Sequence, residues 1–160
     1  MPNCFNFVSM KGFEKILSFE NELPVDYADR IGLSYSAFVS QNHKKNKGQF
    51  LTPSAIARFM GNMAKSDKSH LSILDPGCGT AILSCSIIES MVNSNSNLKS
   101  INLDLYETDD AIIPFISKVL DFLKRWLSSS EIFIQDYFSK AFCQNKQLYY
   151  YRLENNILNS

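Results

Sequence analysis

The sequence predicts an α/β fold built on a parallel sheet, and three stretches carry that prediction. Short apolar runs lead into acidic residues: Ile73-Leu74 into Asp75, Ile101–Tyr106 into Glu107, and Glu131–Gln135 into Asp136. The first of them enters a glycine turn, Pro76-Gly77-Cys78-Gly79, and then a helical pattern that opens at Thr80. A second helix-length apolar segment separates the other two, so strands and helices alternate as parallel pairing requires. In such a sheet the carboxyl ends of the strands converge on one crevice, where Asp75, Glu107 and Asp136 are expected to meet.

Each element has a local reason. Residues Gly12 to Asn42 read as a helical preface, with Phe13, Ile16, Leu17 and Glu20 on one face before Pro24. After Pro24, a second stripe runs through Tyr27, Ile31, Tyr35, Phe38 and Val39 at helical spacing, and both stripes are expected to pack on the core. Asn42–Gln49 is a polar loop with three lysines, suited either to DNA phosphates or to solvent, and His43 in it is expected to be exposed. Thr52 and Pro53 suit the N-cap and first position of a helix whose buried face is Ile56, Phe59, Met60 and Met63. Lys65–His70 is a polar lead into the first strand, with His70 at the surface.

Past the glycine turn, Ile82, Leu83, Ile87 and Ile88 pack a helix on the sheet, and Asn93–Asn97 forms a turn-rich loop. Glu107 ends the second strand with two acceptor oxygens, the number a ribose diol needs. Asp75 repels a pyrophosphate but accepts hydrogen bonds from an ammonium group or a ribose. Asp109 or Asp110 suits the N-cap of a helix over roughly Ile112 to Leu127, with Pro114 in its first turn.

Composition limits the alternatives. Lys+Arg and Asp+Glu balance at 16 each, so no global basic field holds nucleic acid. The four cysteines form no CxxC pair and no His/Cys cluster has metal spacing, which predicts free thiols in a reducing compartment and no metal. Lys11, Glu14 and Lys15 interrupt any secretory apolar region, and no run approaches the roughly 18 residues that span a bilayer. A soluble cytoplasmic chain that makes no membrane contact is expected.

Gln49-Phe-Leu-Thr-Pro53 and Asp75-Pro-Gly-Cys-Gly-Thr80 together resemble the cofactor motifs of the amino-methylating DNA methyltransferases. The resemblance is chiefly to the adenine-N6 enzymes of restriction–modification and phage-defence systems. That family carries Gly-Gln-Phe-Phe-Thr-Pro, then Asp-Pro-Xaa-Cys-Gly-Thr-Gly, then Asn-Pro-Pro-Tyr. Here Leu51 replaces a Phe and Ala81 the last Gly, and the third motif does not occur. The likeness runs roughly from Lys47 to Phe138.

The resemblance implies an incomplete Rossmann-like sheet of the S-adenosylmethionine-dependent methyltransferase type, preceded by N-terminal helices. It implies S-adenosyl-L-methionine as cofactor, held by Phe50, Thr52, Asp75, Gly77, Cys78, Gly79, Thr80, Glu107, Thr108, Asp136 and Tyr137. Thr52 would lie at the methionine end, Glu107 on the ribose, and Asp136 on the adenine amino group with an aromatic neighbour. The expected organisation is a helical segment over 1–46, the cofactor-binding half of a methyltransferase domain over 47–142, and an aberrant or truncated tail over 143–160.

Asn-Pro-Pro-Tyr would accept hydrogen bonds from the target amine and stack on a flipped base, so no catalytic residue is assigned. A truncated piece of an adenine-specific DNA methyltransferase, inactive alone, is the expected function. The other readings are a non-catalytic or split subunit acting with a complementing methyltransferase subunit, and a methyltransferase acting on a substrate other than DNA. DNA is the partner implied for the parent family. Tyr149-Tyr-Tyr-Arg-Leu153 stands where the family has an apolar strand; shifted by one base, its codons can read Ile-Ile-Ile-Gly, as an interrupted gene would leave them.

Overall fold

The computed structural model describes residues 16–140 and 149–152, and from Phe133 onward it describes them by their backbone alone. The first strand, β1 (His70–Asp75), pairs in parallel with β2 (Ser100–Glu107), and β2 with β3 (Phe133–Lys140). A short strand, β4 (Tyr149–Arg152), adds antiparallel to β3, giving the order β1-β2-β3-β4. The tail stretch Tyr149–Arg152 is therefore an edge strand of the described sheet. The remaining tail residues, 143–148 and 153–160, lie outside the described residues.

Five α-helices lie among the described residues: α1 (Pro24–Phe38), α2 (Gln41–Lys47), α3 (Ser54–Gly61), α4 (Ile82–Ser94) and α5 (Ile113–Ser128), all but α2 contributing buried residues. Helix α4 crosses from β1 to β2 and α5 from β2 to β3. Because both crossovers step the same way along the sheet, right-handed connections put both helices on one face. The strand pattern agrees. Ile101, Leu103 and Leu105 are buried under that layer, whereas Asn102 and Ser72 on the other face are exposed, and Leu74 there is 64% exposed.

Helix α1 begins at Pro24, with the fixed φ of proline suited to a first turn. Tyr27, Ile31 and Tyr35 bury its inner stripe against α4 and α5, while Phe38 is half exposed at its end. Ahead of α1, the described residues 16–23 are irregular with one turn and not helical, Phe13 lies outside the described residues, and Leu17 is exposed. Arg30 of α1 holds this stretch through Glu22 and the Leu17 carbonyl, with its guanidinium 4.2 Å from the Phe19 ring centroid.

Residues 41–47 are a helix rather than a loop. The Ser40 side chain accepts the His43 N–H at 3.1 Å to start α2, and Gly48 ends it. Helix α3 starts one residue later than the sequence suggests, with Pro53 as N-cap, so the Thr52 hydroxyl is not spent on capping.

The face of α3 is also reversed. Ala57 and Gly61 are buried, whereas Ile56, Phe59, Met60 and Met63 are 48–69% exposed. The reason is a close helix crossing. A Cβ on Gly61 would stand 2.7 Å from the backbone carbon and oxygen of Ser86 in α4, and the Ser86 hydroxyl donates to the Ala57 carbonyl at 2.7 Å. Gly61→Ala is expected to push α3 off α4 and cost about 1–3 kcal/mol in denaturant unfolding. An unchanged midpoint would show that the crossing is not tight.

Candidate functional site

The glycine turn is built by strand β1 stopping and helix α4 starting within six residues, 76–81. Gly79 has a φ of 53°, a left-handed conformation that glycine adopts without strain. Ala81, where the resembled motif has Gly, is also left-handed at 60°, a conformation that costs a non-glycine residue about 1–2 kcal/mol. The turn is drawn toward β2, because the Cys78 N–H donates to the Tyr106 carbonyl at 3.0 Å.

That contact brings the two strand-end carboxylates together around the turn. Asp75 is buried; Ser84 of α4 donates to its Oδ2 at 2.8 Å, and its Oδ1 has no partner among the described residues. Glu107 is 8% exposed and heavily bonded by backbone. Its Oε2 accepts from Gly79 N at 3.0 Å, and its Oε1 accepts from Thr108 N at 2.6 Å and Asp109 N at 3.0 Å. These donors, with the Thr108 hydroxyl 3.4 Å from Oε1, fix the carboxylate at the end of β2 and leave one lone pair, on Oε2, open to a hydroxyl.

Asp136 does not join them at a strand end. Strand β3 continues to Lys140, and Asp136 pairs with Leu103, whereas Phe138 is level with Leu105, the partner of Asp75. Asp136 and Tyr137 thus stand within β3, and their side chains lie outside what the structure describes.

The loop Gln49–Pro53 lies over the turn. A Cβ at Gly79 would meet Leu51 Cδ2 at 3.2 Å, and one at Gly32 of α1 would meet Leu51 Cδ1 at 3.1 Å. Leu51 is therefore seated between α1 and the glycine turn, while Phe50 is 91% exposed. Beside it is a cavity of about 520 Å³ between α1, α2, the loop and the start of α4, lined in part by Lys45, Phe50, Thr52 and Thr80. Thr80 is 1% exposed and its hydroxyl has no partner among the described residues, so it is an unsatisfied polar group at the cavity wall. Asp75, Gly77, Gly79 and Glu107 do not line this cavity. The expected residues therefore fall into two groups, one at the cavity and one at the strand ends, meeting at Thr80 and Leu51.

One cluster is not visible in the sequence. Asp109, 3% exposed, accepts at Oδ2 from Tyr35 Oη at 2.5 Å and Gln49 Nε2 at 3.0 Å, with His43 Nε2 at 2.6 Å. Its Oδ1 accepts from Ala111 N at 3.1 Å and so caps the 3-10 turn Asp110–Ile112, not α5 itself, whose N-cap Ile112 supplies no side-chain bond. His43 is thus engaged, not solvated. Burial alone would raise the Asp109 carboxyl, but the bonds from His43, Tyr35 and the Ala111 N–H outweigh it and hold it below the ordinary carboxylate range. Burial, with the bond to Asp109, pushes the Tyr35 phenol the other way, up. Burial also pushes the Cys78 thiol far up, helped by the Asp75 and Glu107 charges, so Cys78 stays protonated and is no nucleophile.

Among the described residues no group of His, Cys, Asp and Glu is placed to hold a metal ion. No described helix is long and apolar enough to cross a membrane.

Comparison with known proteins follows the same residues. A Type II methyltransferase of Bacillus subtilis, M.BsuBI, is 31% identical over 101 residues, covering 62% of this chain and 20% of that protein. M.AccI of Acinetobacter calcoaceticus is 29% identical over 103 residues, covering 64% of this chain and 17% of its own length. M.PstI of Providencia stuartii is 26% identical over 106 residues, covering 64% and 20%. The chain thus spans about a fifth of the length of these relatives. No solved structure matches. The sequence model described as N-6 DNA Methylase matches residues 27–112, which takes in Tyr35, the Gln49–Pro53 loop, the glycine turn and Glu107. That match covers 86 of the 160 residues (112 − 27 + 1), and the chain belongs to the N-6 DNA methylase family.

Proposed function

We propose that this chain binds S-adenosylmethionine and forms the cofactor half of a methyltransferase that modifies adenine N6 in DNA. The observation that carries the reading is Glu107. It is a buried carboxylate at the end of β2, held by Gly79 of the glycine turn, and its remaining lone pair suits a ribose hydroxyl. Asp75, with Oδ1 uncommitted, suits the cofactor's ammonium group, and Thr52 and Thr80 suit its amino-acid end. Gly77 and Gly79 let the backbone approach it, with Cys78, Thr108 and the exposed Phe50 around it. Asp136 and Tyr137 remain the proposed adenine contacts. On this reading residues 1–46 are a preface, 47–142 the cofactor unit and 143–160 a tail, in a cytoplasmic protein with a Rossmann-like fold.

Methyl transfer to an amine needs the acceptor nitrogen in line with the sulfonium methyl, so the protein works mainly by positioning. No Asn-Pro-Pro-Tyr is present to hold the acceptor, and the net charge is zero. The chain alone is therefore expected to bind cofactor yet transfer nothing to duplex DNA. Calorimetric titration of S-adenosylmethionine into the chain, shown folded by circular dichroism, tests the first half; absence of binding heat rejects it. Labelled methyl appearing in DNA, and abolished by Asp75→Ala, would overturn the second.

The open surfaces favour action with more protein. The sheet face left open among the described residues carries Leu74, and α3 with the residues just after it presents Ile56, Phe59, Met60 and Met63 to solvent. A complementing methyltransferase chain that carries Asn-Pro-Pro-Tyr should restore transfer when mixed with this one.

A further inference from the structure

We propose that Asp109 is a positioning residue that latches the Gln49–Pro53 loop to the carboxyl end of β2, so that loop closure and engagement at Glu107 are coupled. The idea rests on the cofactor reading for its consequence, but on geometry alone for the latch. One end of Asp109 touches the strand end: its N–H donates to Glu107 Oε1 at 3.0 Å. Its side chain holds three elements at a single oxygen, through Tyr35 of α1, His43 of α2 and Gln49 at the head of the loop. The Gln49 side-chain oxygen Oε1 also lies against the Tyr35 hydroxyl, whose single proton serves one of its two acceptors, Gln49 or Asp109, at a time.

The three donors are not equally free to move. Tyr35 is fully buried on α1, with its ring edge-on to Phe115 at 5.3 Å. His43 sits on a seven-residue helix with no buried residue, and Gln49 begins a loop whose next residue, Phe50, is exposed. When the carboxylate is lost, the buried Tyr35 hydroxyl and the half-buried Gln49 and His43 lose their acceptor, and the cheapest relief is to turn Gln49 and His43 fully to water. The loop therefore opens while the sheet stays. Because Asp109 and Glu107 share a backbone bond, a ligand that orders Glu107 favours the closed loop, and a closed loop favours the ligand by the same factor.

Hydrogen exchange on the full 160-residue chain tests this with and without S-adenosylmethionine. In Asp109→Asn without ligand, the amides of Gly48 and Gln49, which donate to the Lys45 and Lys44 carbonyls, should exchange about tenfold faster than in the unaltered chain, while β1 and β2 amides stay as slow. Ligand should slow those loop amides in the unaltered chain, and the variant should bind about tenfold more weakly. Unchanged loop exchange, or equal acceleration in every element, would overturn the latch. If Asp109→Asn does not fold, Tyr35→Phe decides it, since that variant keeps the ring on Phe115 and removes one donor. Faster loop exchange supports the latch and unchanged exchange ends it. If the unaltered chain binds no cofactor, the cofactor reading fails, but the ligand-free exchange still judges the latch.

Discussion

Glu107→Ala is expected to weaken S-adenosylmethionine binding by about 1–3 kcal/mol and to cost about 3 kcal/mol of stability as well. The two losses have one origin. A ribose hydroxyl would lose its acceptor, and so would the backbone N–H groups of Gly79, Thr108 and Asp109 that the carboxylate holds in the folded chain. Asp109 is buried, and an unpaired donor there carries a desolvation penalty of about 1–3 kcal/mol; Gly79 is half-buried and Thr108 exposed, so their N–H groups add less. Glu107→Gln keeps one acceptor oxygen but turns an amide N–H₂ toward donors, so its effect should fall between the two. Denaturant unfolding reads the stability loss and calorimetry the binding loss. An Ala variant that binds as tightly as the unaltered chain would remove Glu107 from the site.

What the sequence showed was whatever local chemistry decides. The strand, glycine turn and helix around Asp75–Ala81 follow from the chain's own φ preferences and periodicity, and β2 ending on Glu107 follows from alternation. What it hid was set by partners distant in sequence. The α3 stripe of Ile56, Phe59, Met60 and Met63 is real, but periodicity cannot tell which stripe faces inward. The close approach at Gly61 and Ser86 chose the small residues instead. The end of β3 depends on the length of β2 beside it, so Asp136 sits within a strand that the sequence pattern ends too early. The Asp109 cluster draws its donors from residues 35, 43 and 49, three separate segments with no shared spacing. Nothing in a linear pattern marks His43 or Tyr35 as its partners.

Arg58→Ala should destabilise the chain by about 3 kcal/mol, the second large effect, because it strands a buried charge. Arg58 of α3 pairs with Glu89 of α4 and, through its other nitrogen, with Asp26 of α1 at 2.8 Å. Glu89 is 6% exposed. Its second oxygen accepts from Val25 N at 3.3 Å, serving the start of α1, where Leu23 supplies no side-chain cap. Three helices therefore meet on one carboxylate. Asp26 is half exposed and its bond to Arg58 contributes little, as surface pairs do. Without Arg58, however, Glu89 must remain charged in a dry site or take up a proton, and either costs free energy. This origin has a signature of its own. Adding Glu89→Leu to Arg58→Ala removes the stranded charge and should recover part of the loss, even though it deletes one more polar contact. Equilibrium unfolding of the single and double variants measures that coupling. A double variant less stable than Arg58→Ala alone would show that Glu89 stabilises the fold chiefly through the start of α1 and not through its ion pair.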